Sequence, residues 1–292
     1  MRWLTSVGPG ARVWKVVWPL IVALVALSLL TLLTRQLRLL DRQLIFFPSR
    51  EVVAGPGDVG LAFEEVRFQA ADGVKLHGWF VQGAGDTTLL WFHGNAGNIG
   101  DRVENILLLN RAVGVNVFIF DYRGYGLSEG SPSEKGMYLD AEAAISYLKT
   151  RPDVNAESGL VLFGRSIGAA VAVEMGAGQD FRGIILESPF TSLKAMARRS
   201  NPVLSRVIPV GFVVHSKFDS LAKISRVTSP VMVVHGDADE TVPVEMGVAL
   251  FEQASEPKRL FLIRGANHND TYLVGGEEYF EALRSFVDGP AG

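Results

Sequence analysis

Three side chains in this sequence have the types and order needed for nucleophilic hydrolysis. Gly164-Arg165-Ser166-Ile167-Gly168 fits the pattern G-x-S-x-G. The pattern alone is weak in a chain with 31 glycines, and context gives it weight. It follows an apolar run, Leu160–Gly164, and precedes a small-residue stretch, Ser166–Met175, so it sits where a buried strand turns into a helix. Such a turn strains the serine backbone, and the flanking glycines avoid collisions. A serine hydroxyl needs a base to take its proton. Of the five histidines, His268 lies in Gly265-Ala266-Asn267-His268-Asn269-Asp270, a loop after the last expected strand, and is the candidate base. His93 and His235 end strands, His77 lies in an early hairpin, and His215 lies in an apolar insertion.

A base of this kind needs an acid to hold its tautomer. The segment His235-Gly236-Asp237-Ala238-Asp239-Glu240 offers three carboxylates. Asp239 is the expected partner, Asp237 the competing one, and Glu240 is expected to be solvated or to start a helix. The order serine, acid, histidine is that of a nucleophile-elbow hydrolase. The turn His93-Gly94-Asn95-Ala96-Gly97-Asn98 directly follows a buried strand. The backbone N–H groups of Asn95 and Ile167 are therefore expected to form an oxyanion hole. A phosphate-binding turn is the other reading, but the Lys-Ser/Thr ending of a P-loop is absent. Asp121-Tyr122-Arg123-Gly124-Tyr125-Gly126 reads as a structural turn.

These residues need a scaffold. Phe63–Gln69 and Val74–Val81 read as a hairpin around Ala71-Asp72-Gly73. Strands are expected at Thr87–His93, Val115–Asp121, Leu160–Gly164, Phe181–Glu187, Val231–Gly236 and Arg259–Ile263. Helices are expected at Ile99–Val113, Ser133–Thr150, Ser166–Met175, Glu245–Ala254 and Glu277–Val287. An antiparallel opening followed by strand–helix alternation implies an α/β fold with a mostly parallel sheet and helices on both faces. About 50 residues separate the strands at Phe181 and Val231, and Pro202–Val214 is largely apolar. Residues 188–225 are thus the expected lid, with core packing the alternative.

The N-terminus has a different character. Val16–Leu33 carries no charge and is bracketed by Lys15 and Arg35. That approaches the ~20 residues needed to span a hydrocarbon core. A single uncleaved anchor is expected at 16–34, after a basic tail at 1–15 and before a juxtamembrane helix and linker at 35–60. A buried core helix and a cleaved signal peptide are the alternatives. The hydrolytic body is expected at 61–290. Residues 1–50 hold seven Lys and Arg against one acid, leaving 21 basic and 30 acidic residues in the remainder. That split suits a bilayer surface and excludes a nucleic-acid partner. Charges flanking the span nearly balance, and the expectation adopted is a bacterial inner-membrane protein with its body in the periplasm. With no cysteine, thiol nucleophiles, disulfides and thiolate zinc sites are excluded. No cofactor or metal is expected, and nothing in the sequence sets an oligomeric state.

Together HGNAGN, DYRGYGLSEG, GRSIG, SPVMVVHGDADETVP and GANHND resemble the α/β-hydrolase superfamily, most closely its membrane-anchored α/β-hydrolase-domain proteins. The resemblance covers about residues 40–288. It implies a sheet of about eight strands with the second antiparallel. It gives Ser166, Asp239 and His268 the triad roles and Asn95 and Ile167 the oxyanion positions. The implied substrates are hydrophobic acyl esters or thioesters of lipids, lysophospholipids or acylated proteins. A serine peptidase on the same fold and a non-catalytic membrane-tethered interaction module are the competing functions.

Overall fold

The computed structural model describes residues 17–18, 20–28, 31–32, 43–156, 158–200 and 216–289. Continuous apolar runs become strands because both sheet faces are covered. Chain order gives β1 (Phe47–Pro48), β2 (Glu64–Gln69), β3 (Lys75–Val81), β4 (Thr88–Phe92), β5 (Ala96–Gly97), β6 (Asn116–Asp121), β7 (Leu160–Arg165), β8 (Gly183–Glu187), β9 (Val231–Gly236) and β10 (Lys258–Ile263). Eight of these form one sheet in the order β10-β9-β8-β7-β4-β6-β3-β2. β3 is antiparallel to both neighbours, and the other pairings are parallel. Every residue of β4, β6, β7, β8 and β9 is buried.

The helices are α1 (Val103–Leu108), α2 (Glu134–Thr150), α3 (Ile167–Gly176), α4 (Leu193–Ser200), α5 (Val244–Gln253) and α6 (Thr271–Asp288). Ser133 caps α2 by accepting from Gly136 N–H. Two apolar clusters fill the layers on either side of the sheet. One holds Leu90, Phe92, Phe118 and Phe120 with the buried faces of α2 and α3. The other holds Trp91, Ile119 and Phe163 with Ile106, Tyr279 and Leu283.

Three local readings change. The helix expected at Glu277–Val287 is present, and a further helical segment from Thr271 precedes it across a non-helical kink at Gly276 (φ 49°, ψ −134°). The Gly275-Gly276 pair hides the first turn from a propensity reading. Ile99–Val113 is three short pieces: a 3-10 turn at 99–102, α1, and a π-helical turn at 109–113. Phe47 was expected at the end of the juxtamembrane helix. Instead Phe47–Pro48 pairs in parallel with Ala96–Gly97, and Ile45 and Phe46 are buried in the core.

Residues 17–18, 20–28 and 31–32 are helical, with Trp18, Leu24 and Leu27 exposed. No helix among the described residues is long and apolar enough to cross a membrane. The expected anchor at 16–34 lies partly, and residues 35–42 lie wholly, outside the described residues, as does 201–215 of the expected lid.

α3 lies very close to the backbone of β4. A Cβ on Gly168 would lie 1.9 Å from the Phe92 carbonyl oxygen. Overpacking of this kind costs about 1–3 kcal/mol, or roughly 4–10 °C in a domain of this size. Gly168→Ala is expected to lower the melting temperature by at least that much in a thermal unfolding scan. Gly178→Ala, whose Cβ would meet only ordinary contact at 3.6 Å, should stay within about 1 °C of wild type.

Candidate active site

Ser166 stands between the end of β7 and the start of α3 with φ 54° and ψ −116°. L-residues seldom adopt that backbone, and it persists only where the surroundings enforce it. Here Ser166 N–H donates to the Glu187 carbonyl on β8 (2.9 Å), and the Ser166 carbonyl accepts from Ala169 N–H (3.0 Å). Gly164 and Gly168 allow the sharp reversal: a Cβ on Gly164 would come within 2.4 Å of the Gly168 carbonyl. The serine lines a cavity of about 320 Å³ at the carboxyl end of the sheet, within the size range of small-molecule sites.

Opposite the serine runs the His93-Gly94-Asn95 turn that follows β4. Gly94 is so close that a Cβ there would be 3.9 Å from Ser166 Cβ. Asn95 is held on three sides. Its carbonyl accepts from Phe47 N–H (3.0 Å) and from the Tyr125 hydroxyl (2.8 Å), and its Nδ2 donates to the Ile45 carbonyl (2.7 Å). Among the described residues, neither Asn95 N–H nor Ile167 N–H donates to a protein acceptor. Ile167 N–H also opens α3, where helix geometry leaves the first N–H groups unpaired. Two free donors beside a serine hydroxyl can stabilise a developing oxyanion.

His268 lies in the loop between β10 and α6. Its Nδ1 donates to Asp239 Oδ2 at 2.7 Å, and both residues are largely buried. The Asp239 carboxylate is heavily bonded. Oδ1 accepts from the N–H groups of Thr241 (2.8 Å) and Val242 (2.7 Å), and His235 Nε2 lies 3.3 Å from Oδ2. Burial raises its pKa, but hydrogen bonds from His235 and His268 together with the His268 charge outweigh it. The group is held well below the usual carboxylate range. Asp237 does something else: its Oδ1 accepts from Gly265 N–H (2.6 Å), bracing the loop base. Glu240 is exposed and offers its N–H to Asn267 Oδ1 at 3.2 Å. Ser166 and His268 line the same cavity. No hydrogen bond joins them among the described residues; such bonds often tighten only when substrate binds.

The remaining described histidines are structural. His93 packs against Tyr122 in a tilted arrangement with ring centroids 4.5 Å apart, and burial, aided by the Arg102 charge, pushes its pKa down to about 3. It is neutral at physiological pH. His215 lies outside the described residues.

Sequence reasoning missed the supports. Arg165, the variable residue of the elbow, is buried and donates to the His268 carbonyl at 2.7 Å. Its Nε lies 3.8 Å from the fully buried Glu187, whose Oε1 also accepts from the Thr271 and Tyr279 hydroxyls. An arginine inside an otherwise apolar strand end was the available signal. The Asp121–Gly126 turn is structural, as expected, yet it reaches the site. Arg123 bridges Asp140 and Asp72, and the turn it fixes carries the Tyr125 hydroxyl onto Asn95. Arg102 also lines the cavity.

The profile of the serine aminopeptidase S33 family matches residues 84–223. The chain is 34% identical over 270 residues to the α/β-hydrolase domain-containing protein WAV2 of Arabidopsis thaliana, covering 85% of this chain and 87% of that one. The chain belongs to the α/β-hydrolase superfamily. It is 36% identical over 270 residues to the uncharacterized protein Rv2307c of Mycobacterium tuberculosis, covering 91% and 92% of the two chains. In fold it is similar to the Pyrococcus furiosus esterase Pf2001, with a TM-score of 0.69 at 23% identity, covering 83% of this chain and 98% of that one. The protein is an enzyme of the serine-hydrolase type.

The two nearby acids separate cleanly in a kinetic test. Asp239→Asn keeps the shape and removes the charge that faces His268. The corresponding change in a well-studied triad costs on the order of 10⁴ in kcat. A loss of at least about 10³ on an activated ester is expected here, against a few-fold for Asp237→Asn. Comparable losses at both positions would refute the distinction.

Proposed function

We propose that this hydrolase cleaves carboxylic ester or thioester bonds of substrates with a hydrophobic acyl group, through an acyl-enzyme on Ser166. His268 takes the serine proton and passes it to the leaving group, while Asp239 holds the ring tautomer and offsets its charge. The N–H groups of Asn95 and Ile167 receive the negative charge of the tetrahedral intermediate. Water then repeats the attack on the acyl-enzyme and frees the acid. One observation carries this reading: Ser166 and His268 share a cavity with Leu44, Ile45, Phe190, Leu193, Met196 and Val242. Those side chains offer an alkyl chain a surface to leave water.

A peptidase acting on a free amino terminus needs a carboxylate to meet the ammonium. Among the described residues no Asp or Glu lines the cavity, and two arginines do. A lost-activity binding module fits poorly with a strained serine, a paired histidine and two free N–H donors kept together.

The reading extends to the membrane. An uncharged segment at 16–34, flanked by basic residues, supports a single-pass anchor that holds the enzyme beside a bilayer source of acyl substrate. The arrangement we favour puts the body outside the cytoplasm.

Ser166→Ala should remove p-nitrophenyl butyrate hydrolysis and fluorophosphonate labelling while leaving the melting temperature within a few degrees. Retention of more than about a tenth of the activity would rule Ser166 out as nucleophile. Truncation tests the anchor and the true start of the body. Removing residues 1–34 should leave soluble-ester turnover intact and reduce turnover of acyl substrate in vesicles. Removing 1–60 should abolish both, because Ile45 and Phe46 are core residues and Phe47 binds Asn95.

A further inference from the structure

The cavity lining is chemically mixed: besides the alkyl side chains already described, it carries Arg102 and Arg165. Arg165 is accounted for: it has Glu187 3.8 Å away and the His268 carbonyl at 2.7 Å. Arg102 is not. It donates to the Ala96 carbonyl (2.8 Å), but it forms no ion pair among the described residues, and its Nε is buried without a partner. Its nearest acids are otherwise engaged. Asp101 accepts from Asn98 N–H (2.9 Å), Asp121 accepts from Ile99 N–H (3.0 Å), and Glu104 faces the Tyr272 hydroxyl (3.5 Å).

Two guanidiniums line one half-enclosed cavity, and the charges of Asp101 and Asp121 offset that of Arg102 only in part. Burial, and then the charge of Arg165, make the arginine at 102 harder to keep protonated. A half-buried guanidinium with no ion pair among the described residues and a buried, unpartnered Nε is open to an incoming anion. A planar guanidinium is also the group best shaped for phosphate or carboxylate. Arg102 closes the short helical turn that follows the Asn95 loop, so an anion held there lies beside the oxyanion donors and the serine.

We propose that Arg102 forms an anion subsite in the catalytic cavity, selecting acyl esters that carry a phosphate or carboxylate close to the scissile carbonyl. The alkyl chain lies against the alkyl part of the lining, making the preferred substrate an anionic amphiphile. This rests on the hydrolase reading above and narrows its substrate class.

Binding and turnover test it separately. Titration calorimetry on the full-length wild-type enzyme would compare octyl phosphate, octan-1-ol, octyltrimethylammonium and inorganic phosphate. Octyl phosphate should bind at least tenfold tighter than each of the others. Arg102→Gln should remove most of that margin, and Arg102→Lys should restore part of it. Parity of octyl phosphate with octanol or the ammonium would overturn the anion subsite even if no variant folds well. Parity with inorganic phosphate would overturn the amphiphile and leave a site for a free anion. In turnover, the ratio of kcat/KM for 1-octanoylglycerol 3-phosphate to that for 1-octanoylglycerol should exceed ten in wild type and fall at least tenfold in Arg102→Gln. A ratio near one in wild type, or unchanged by the substitution, would sink the proposal with the hydrolase reading intact. Tight octyl phosphate binding with neither ester cleaved would keep the subsite and discard the hydrolase reading.

Discussion

The close approach of α3 to β4 governs the site. Because Gly168 lies against the Phe92 and His93 carbonyls, the helix can begin only one residue after β7 ends. Ser166 is left to absorb the whole change of direction in its own backbone, at φ 54°. That one constraint sets three things. It lifts the hydroxyl out of the sheet, turns Ile167 N–H toward the same space, and brings the Gly94 turn within van der Waals reach of the serine. The strain is sustained by one backbone bond to β8 and one to the first turn of α3, and not by anything Ser166 does for packing.

Around this fixed point the structure manages charge in a graded way. Asp239 is buried but has donors on both oxygens, so its negative charge survives. Glu187 is deeper and is met by Arg165, Thr271 and Tyr279. Arg165 then ties this buried group to the backbone of His268, so the base is held from its carbonyl as well as from its ring. His93, with no acid in hydrogen-bonding range, is simply kept neutral. Asp239 and His268 are thus each held by several bonds, whereas Arg102 Nε is buried without a partner.

Much of this was legible because the signals were local. The elbow is five consecutive residues, and the buried strands announce themselves as uninterrupted apolar runs. Asp239 over Asp237 followed from position in a short loop, and the two acids are bonded differently: one faces His268, the other Gly265. What stayed hidden depends on segments distant in sequence. The Phe47–Ala96 pairing involves two residues on each side, too short for any periodicity. Phe46-Phe47 looked like more of the helix that in fact ends at Ile45, because apolarity alone does not distinguish a helix end from a buried edge. The cavity walls join residues 44, 102, 165, 193 and 242, which no single-sequence pattern brings together. Gly276 concealed a bend because a glycine pair reads as a break, and here the chain resumes its helix after one left-handed residue.

The two-residue pairing of β1 with β5 also fixes where the N-terminal chain leaves the body. Leu44 and Ile45 are part of the cavity rim, and Phe47 is bonded to the oxyanion turn, so the exit point and the cavity mouth coincide. From Leu32, the last described helical residue of that segment, to Gln43 is eleven peptide steps. Even fully extended, such a stretch reaches only about 40 Å. With residues 16–34 held in a bilayer, the mouth would be leashed within that radius of the surface, and from the side that opens. On the proposed anchoring, a substrate would not need to be found by three-dimensional diffusion; it would be met by lateral drift in a plane, at a local concentration set by the lipid composition under the leash.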